Sequence, residues 1–257
     1  MDQDFIKICF LYSRSMNIYG DRGNILCLQQ RAKWRQKKVE ILEYNIGDSS
    51  FNFSDIDLFF FGGGQDVQQL EVAEDLQKIG KKVLVQLRQK KAAMLAICGG
   101  MQLMAEYYQT AEGRKMKGLG FFAAYTVASN KRQIGNVVID SELFGRVVGF
   151  ENHSGKTFVD WKKNLPLGKV IIGSGNNGQD GFEGIIYQNS IGSYLHGSLL
   201  PKNPRVADWL LQKAFERRYG DYQLIELNDI VENEAADRAE KNAMKVDRVN
   251  NVSSKYK

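Results

Sequence analysis

The sequence predicts an α/β fold: a mainly parallel central sheet with helices on both faces, and an antiparallel extension in the second half. Three observations carry this expectation. Through about the first 108 residues, short apolar runs alternate with segments of helical periodicity, as in a parallel sheet assembled from strand–helix units. The longest of those runs, residues 58–61 and 92–98, are continuous rather than alternating with polar residues, as strands buried on both faces require. Beyond about residue 120, strand-like pieces separated by glycine and asparagine turns replace the helices.

Residues 6–12 read as a buried strand with Cys9 inside it. Residues 24–37 are helical, with Ile25, Leu28 and Ala32 along one face, and residues 39–44 form the next strand. Residues 57–61 make a third strand that ends abruptly in Gly62-Gly63-Gly64. Val72, Leu76 and Ile79 then recur at helical spacing, and residues 83–90 continue that helix. Residues 92–97 are a fourth buried strand, followed by helix over 99–108. In the second half, residues 121–127, 136–139, 145–148 and 185–194 are strand-like, and helix returns at 204–219. From Asp229 the chain is rich in charged residues and asparagine. This predicts a globular domain over 1–228 and a charged C-terminal helix or tail over 229–257, exposed and fraying to a disordered end after Val246.

A hydrophobic content of 43% with 25% charged residues is that of a globular protein and excludes a disordered chain. No apolar run is long enough for a transmembrane segment, and the N-terminus lacks a signal-peptide pattern. Three irregularly spaced cysteines make no disulfide framework, so the expected setting is the reducing cytoplasm. The net charge of +5 raises the question of nucleic acid. Arg31, Lys33, Arg35, Lys37 and Lys38 do cluster, but without a binding motif or interleaved aromatics; they read as a solvated helical face, and no nucleic-acid partner is expected. Gly155-Lys156-Thr157 lacks the glycine five positions earlier that a phosphate-binding loop needs, so no ATP site is expected in this chain. Two histidines and scattered cysteines give no metal-ligand spacing, and no metal is expected.

Cys9 and Cys27 sit in apolar strand and helix contexts and read as small buried hydrophobes. Cys98 lies between a buried strand and Gly99-Gly100 at the start of a helix. Ligands of parallel α/β sheets bind at the carboxyl ends of strands, and a cysteine at a helix N-terminus is favoured as the reactive thiolate. The alternative is a packed core cysteine in a glycine-rich turn. A Cys–His mechanism has only His153 and His196 to draw on. His153 lies in the polar, turn-like segment Gly149-Phe150-Glu151-Asn152-His153-Ser154-Gly155, where it reads as structural or as a site-lining residue. His196 follows a strand end, as Cys98 does, and is the better base. Gly62-Gly63-Gly64, again after a buried strand, suits backbone N–H groups aimed at an oxyanion; the alternative is a tight turn.

Taken together, Gly62-Gly63-Gly64, the Ile97-Cys98-Gly99-Gly100 elbow and His196 resemble class I, triad-type glutamine amidotransferases. Within these, Asn17-Ile18-Tyr19-Gly20-Asp21-Arg22-Gly23-Asn24, the segment 149–155 and Tyr194-Leu195-His196-Gly197 resemble the cobyric-acid-synthase-related group, over roughly residues 5–230. The resemblance implies a flavodoxin-like sheet and a glutaminase in which Cys98 attacks the L-glutamine amide and His196 acts as acid and base. It also implies an oxyanion hole near Gly63 and Gly99, and an arginine, Arg132, that holds the glutamine α-carboxylate. From the residues alone, Arg132 would be a surface-loop arginine. Within the group, the likeness is strongest to glutaminases serving peptidoglycan-precursor amidation. That implies a Mur-ligase-like synthetase as heterodimeric partner, with ATP and Mg in the partner, lipid II as its acceptor, and work near the inner face of the membrane. One departure matters: where many class I members carry a glutamate two residues after the histidine, this chain has Ser198. Any acidic residue orienting His196 is therefore expected from elsewhere in the chain or from the partner.

Overall fold

The structure, a computed structural model, describes residues 4–18 and 20–254; Tyr19 of the Asn17–Asn24 motif lies outside them. In chain order, its first half comprises β1 (Phe5–Leu11), α1 (Arg22–Trp34), β2 (Lys38–Tyr44), β3 (Leu58–Phe61), α2 (Asp66–Leu84), β4 (Ala93–Ile97) and α3 (Gly99–Met104). There follow β5 (Tyr107–Gln109), β6 (Lys115–Lys117), β7 (Ala124–Ser141), β8 (Gly145–Val159), β9 (Gly168–Ile172) and β10 (Phe182–Glu183). The chain closes with β11 (Ile185–Tyr187), β12 (Ser190–Ser193), α4 (Pro204–Tyr219) and α5 (Ile230–Ser254).

The first sheet has the order β11-β12-β4-β3-β1-β2. All its neighbours run parallel except β11, which is antiparallel to β12. The crossovers β1–α1–β2 and β3–α2–β4 step in opposite directions, so right-handed connections place α1 and α2 on opposite faces. The expected sheet with helices on both faces is therefore present. Every residue of β3 and β4 is buried, because both faces are covered. The strand order reverses between β1 and β3, and in such sheets the crevice at the carboxyl ends of that pair is where ligands bind.

The antiparallel part is larger than an edge extension. Only β11 joins the edge of the first sheet; the rest is a second sheet built on the long β7–β8 hairpin, with β9–β10 beside one end of β7 and β5–β6 beside the other. The segment 149–155 is thus the middle of a strand. Its buried positions, Glu151, His153 and Gly155, alternate as a strand's should, but they are not apolar, which hid the period. The segment 185–194 is two strands, turning at Gln188 with φ +52°. Helix α3 ends at Met104 rather than continuing to 108, because Tyr107–Gln109 pairs with β6 and β7, and Tyr107 stacks on Tyr125 at 5.2 Å. The α2 helix does not continue as α-helix to 90 but widens into a π-helical turn at Val85–Gln89.

Two expectations about charged segments are corrected by packing. Arg31 and Arg35 are buried, and Arg31 pairs with Asp208 at 2.6 Å and Asp229 at 2.7 Å, so this part of the basic cluster is an internal ion network. Helix α5 lays Ala236, Ala239 and Ala243 against Val138, Val148 and Ile172 of the second sheet, and Glu240 pairs with Arg146 at 3.2 Å. Small residues at helical spacing let that helix sit close on the strands. Among the described residues no helix is long and apolar enough to cross a membrane.

Candidate active site

Four segments meet at the carboxyl ends of β1, β3, β4 and β12. Cys98 leaves β4 with φ +49° and ψ −107°, a sparsely populated conformation for a residue with a side chain. Such a conformation costs about 1–3 kcal/mol and persists only where its surroundings fix it. Here they do: the Cys98 N–H donates to the Ser193 carbonyl at 2.8 Å, and the Gly100 N–H donates to that of Gly62 at 3.1 Å. The thiol is thereby set at the N-terminus of α3.

His196 follows β12 and is fully buried, its N–H donating to the Phe150 carbonyl at 2.8 Å. Its Nδ1 lies 3.2 Å from Asp21 Oδ1, a carboxylate that is also fully buried, and Cys98 is near enough for its charge to act on the ring. Burial disfavours the imidazolium, but the negative charge of Cys98 and the Asp21 carboxylate outweigh it and raise His196 to about 10. The arrangement sets a cysteine, a histidine and a buried carboxylate together at one end of the sheet.

Sequence reading missed Asp21, although it lies within a motif singled out for its resemblance. The loop between β1 and α1 supplies it, and only folding brings it 175 positions along the chain to His196. The position two after the histidine, Ser198, serves the same end differently. Its hydroxyl donates to the Gly20 carbonyl at 2.7 Å and braces the residue beside Asp21.

Asp21 also changes the role expected of Gly63. The Gly63 N–H donates to Asp21 Oδ2 at 2.8 Å, so it positions the carboxylate and does not point at an oxyanion. Glycine is required there because a Cβ would lie 2.9 Å from His196 Cε1. The backbone facing the elbow is Gly64 instead: a Cβ on Gly99 would come 3.2 Å from the Gly64 nitrogen.

Arg132 lies on β7 beside the irregular register between Ala128 and Gln133, not in a loop. Its Nε donates to Asn152 Oδ1 at 2.6 Å. Cys98 and Arg132 line one cavity of about 230 Å³, together with Gln102, Tyr108, Asn152 and His153. His153 is at the site but apart from the Cys98–His196 pair. Its Nδ1–H donates to the Gly155 carbonyl at 2.7 Å, and its ring stacks on Tyr194 at 3.6 Å. Gln102, one turn into α3, is a second lining residue that sequence reading passed over. Its Nε2 donates to Tyr194 Oη at 2.9 Å. Among the described residues, no three His, Cys, Asp or Glu side chains converge as a metal-holding set.

Residues 7–204 match the CobB/CobQ-like glutamine amidotransferase domain. The chain belongs to that family. The amidotransferase is 41% identical over 230 residues to the GatD subunit of lipid II isoglutaminyl synthase (glutamine-hydrolyzing) from Staphylococcus aureus, covering 90% of this chain and 93% of that one. It is 40% identical over 235 residues to the subunit of the same name from Streptococcus pneumoniae, covering 90% and 89%. Likeness to a probable cobyric acid synthase of Methanothermobacter thermautotrophicus is narrower, 29% over 42% of this chain and 24% of that one. Among solved structures, a glutamine amidotransferase superposes with a TM-score of 0.56 at 12% identity, covering 80% of the amidotransferase and 98% of that chain. The glutaminase domain of Trypanosoma brucei CTP synthetase superposes with a TM-score of 0.52 at 11% identity, covering 86% and 96%. At these identities the likeness is one of fold.

Proposed function

We propose that the chain is the glutaminase subunit of a two-component lipid II isoglutaminyl synthase. The observation that carries the chemistry is the Cys98–His196–Asp21 constellation opening onto a cavity that Arg132 also lines. The acceptor rests on about 40% identity across nine-tenths of the chain to two subunits of that name.

L-Glutamine binds with its α-carboxylate on the Arg132 guanidinium and its side-chain amide over Cys98. The Cys98 thiolate attacks the amide carbon, and the C=O electron pair moves onto oxygen, where the Gly64 and Gly99 N–H groups receive it. As the intermediate collapses, the C–N bond breaks and the His196 imidazolium gives its proton to the leaving nitrogen. Ammonia departs, and a glutamyl thioester remains on Cys98. The now neutral His196 takes a proton from water, whose oxygen attacks the thioester and releases glutamate. Asp21 keeps Nδ1 protonated, so the other ring nitrogen faces the thiol throughout.

Ammonia passes to a Mur-ligase-like partner. That subunit, supplied with ATP and Mg, activates the D-glutamate α-carboxylate of lipid II as an acyl phosphate; ammonia displaces phosphate to give D-isoglutamine. This work takes place at the inner face of the membrane. A corrinoid synthase is the weaker alternative, since that likeness spans less than half of the chain.

The test is glutamate release from L-glutamine by the purified chain and by Cys98→Ala, each with and without the ligase. Cys98-dependent release stimulated by the ligase is the expected result. No release under any condition overturns the glutaminase reading, and release indifferent to the ligase overturns the partner.

A further inference from the structure

We propose that Asn152 is a positioning residue for substrate capture: its side chain aims the Arg132 guanidinium at the place the glutamine α-carboxylate occupies. The inference rests on the glutaminase reading above and adds to it the residue that sets the direction of the carboxylate clamp.

Arginine is a long side chain with many rotamers, and bidentate capture of a carboxylate demands one orientation of a planar group. On β7, Arg132 stands where the register with β8 is interrupted, so strand pairing alone does not hold it. The contact at 2.6 Å between its Nε and Asn152 Oδ1 supplies that orientation. With Nε engaged on one side, the plane of the guanidinium is set. Both residues line the cavity that holds Cys98, so the aimed group and the nucleophile share one space.

Asn152 is itself held by its neighbours on β8. Glu151, buried, accepts from the Ser174 N–H at 2.8 Å and the Gly175 N–H at 3.1 Å. His153, also buried, is fixed by Gly155 and by its stack on Tyr194. On a strand whose two flanking residues are held in this way, Asn152 takes the opposite face, half-buried and lining the cavity. The choice of amide over acid has a reason. An asparagine oxygen accepts from Nε without neutralising the guanidinium, whereas an aspartate there would pair with it and repel the substrate's carboxylate.

The experiment compares the full chain, wild type and variant, on L-glutamine and on L-glutamine α-amide, which lacks the carboxylate. Asn152→Ala raises KM for L-glutamine about 10-fold, the loss of one charge-assisted hydrogen bond, with kcat held within about twofold. On the α-amide, the same variant and the wild type agree within about twofold in kcat/KM. The double variant Asn152→Ala with Arg132→Ala is no weaker than Arg132→Ala alone, because a residue that acts through Arg132 has nothing left to aim. Asn152→Asp, which keeps the acceptor and the fold, also raises KM for L-glutamine. A merely structural role would lower turnover on both substrates alike, and that outcome overturns the proposal. So does an unmoved KM in Asn152→Ala when Arg132→Ala raises it, which leaves the carboxylate role of Arg132 standing. If Arg132→Ala leaves KM unmoved, that role is wrong and the proposal falls with it.

Discussion

Replacing Asp21 by asparagine keeps the side chain's shape and removes its charge from a fully buried contact 3.2 Å from His196 Nδ1. His196 stands at about 10 against an ordinary 6.5, a gap worth on the order of 5 kcal/mol between its two protonation states. Cys98 and Asp21 share that stabilisation against the opposing cost of burial. Asparagine can also turn its NH₂ toward Nδ1 and select the wrong tautomer, an effect of up to about 10⁴-fold in serine triads. It is smaller where the resting pair is already charged, so kcat/KM of Asp21→Asn is expected to fall about 100-fold, with KM within about threefold. The sign of the pH effect follows from the charge. The imidazolium persists below the raised pKa of His196, and without Asp21 that pKa drops. The alkaline limb of the rate profile therefore moves to lower pH. Glutamate release measured between about pH 6 and pH 10, beside a thermal melt, reads both effects. An Asp21→Asn enzyme with more than half the wild-type kcat and an unmoved alkaline limb would refute the assignment.

Three further outcomes are expected. Gly63→Ala places a methyl group 2.9 Å from His196 Cε1 and should lower kcat at least about 10-fold with little change in KM, checked by steady-state glutaminase kinetics. Burial raises Glu183 to about 7, against the hydrogen bonds from Ser193 and the Tyr194 N–H. The folded chain thus holds a proton that the unfolded chain loses near pH 4.5, and this contribution to stability is full below that pH and lost as pH rises through 7. Glu183→Gln keeps the Oε1 acceptor and should remove that slope, on the order of 3 kcal/mol, between urea titrations at pH 5 and pH 8; parallel losses in both proteins would exclude it. Arg31→Ala leaves Asp229 without its buried partner and Asp208 with Arg35 alone, and should cost up to about 3–5 kcal/mol in urea unfolding while kcat stays near wild type.

The amino-acid sequence by itself determined the parallel core and singled out two candidate reactive side chains. Uninterrupted apolar runs at β3 and β4 admit few structures other than strands covered on both sides; Cys98 stands out because it directly follows one of them, and His196 because it comes just past a strand end. Both are local signals, written in adjacent residues. Tertiary structure decided the rest. Asp21 belongs to His196 only because β1 and β12 end at the same rim of one sheet. Gly63 looked like an oxyanion donor until its N–H was seen on Asp21. The strand through His153 was hidden because its buried positions carry glutamate, histidine and glycine in place of hydrophobes. The Ser174 and Gly175 N–H groups hold Glu151 and the Gly155 carbonyl holds His153 Nδ1, partners that only the folded chain supplies. Helix α5 read as an exposed charged helix, and its packed face went unseen because three alanines carry little hydrophobic signal, yet their small size is what lets the helix rest on the second sheet.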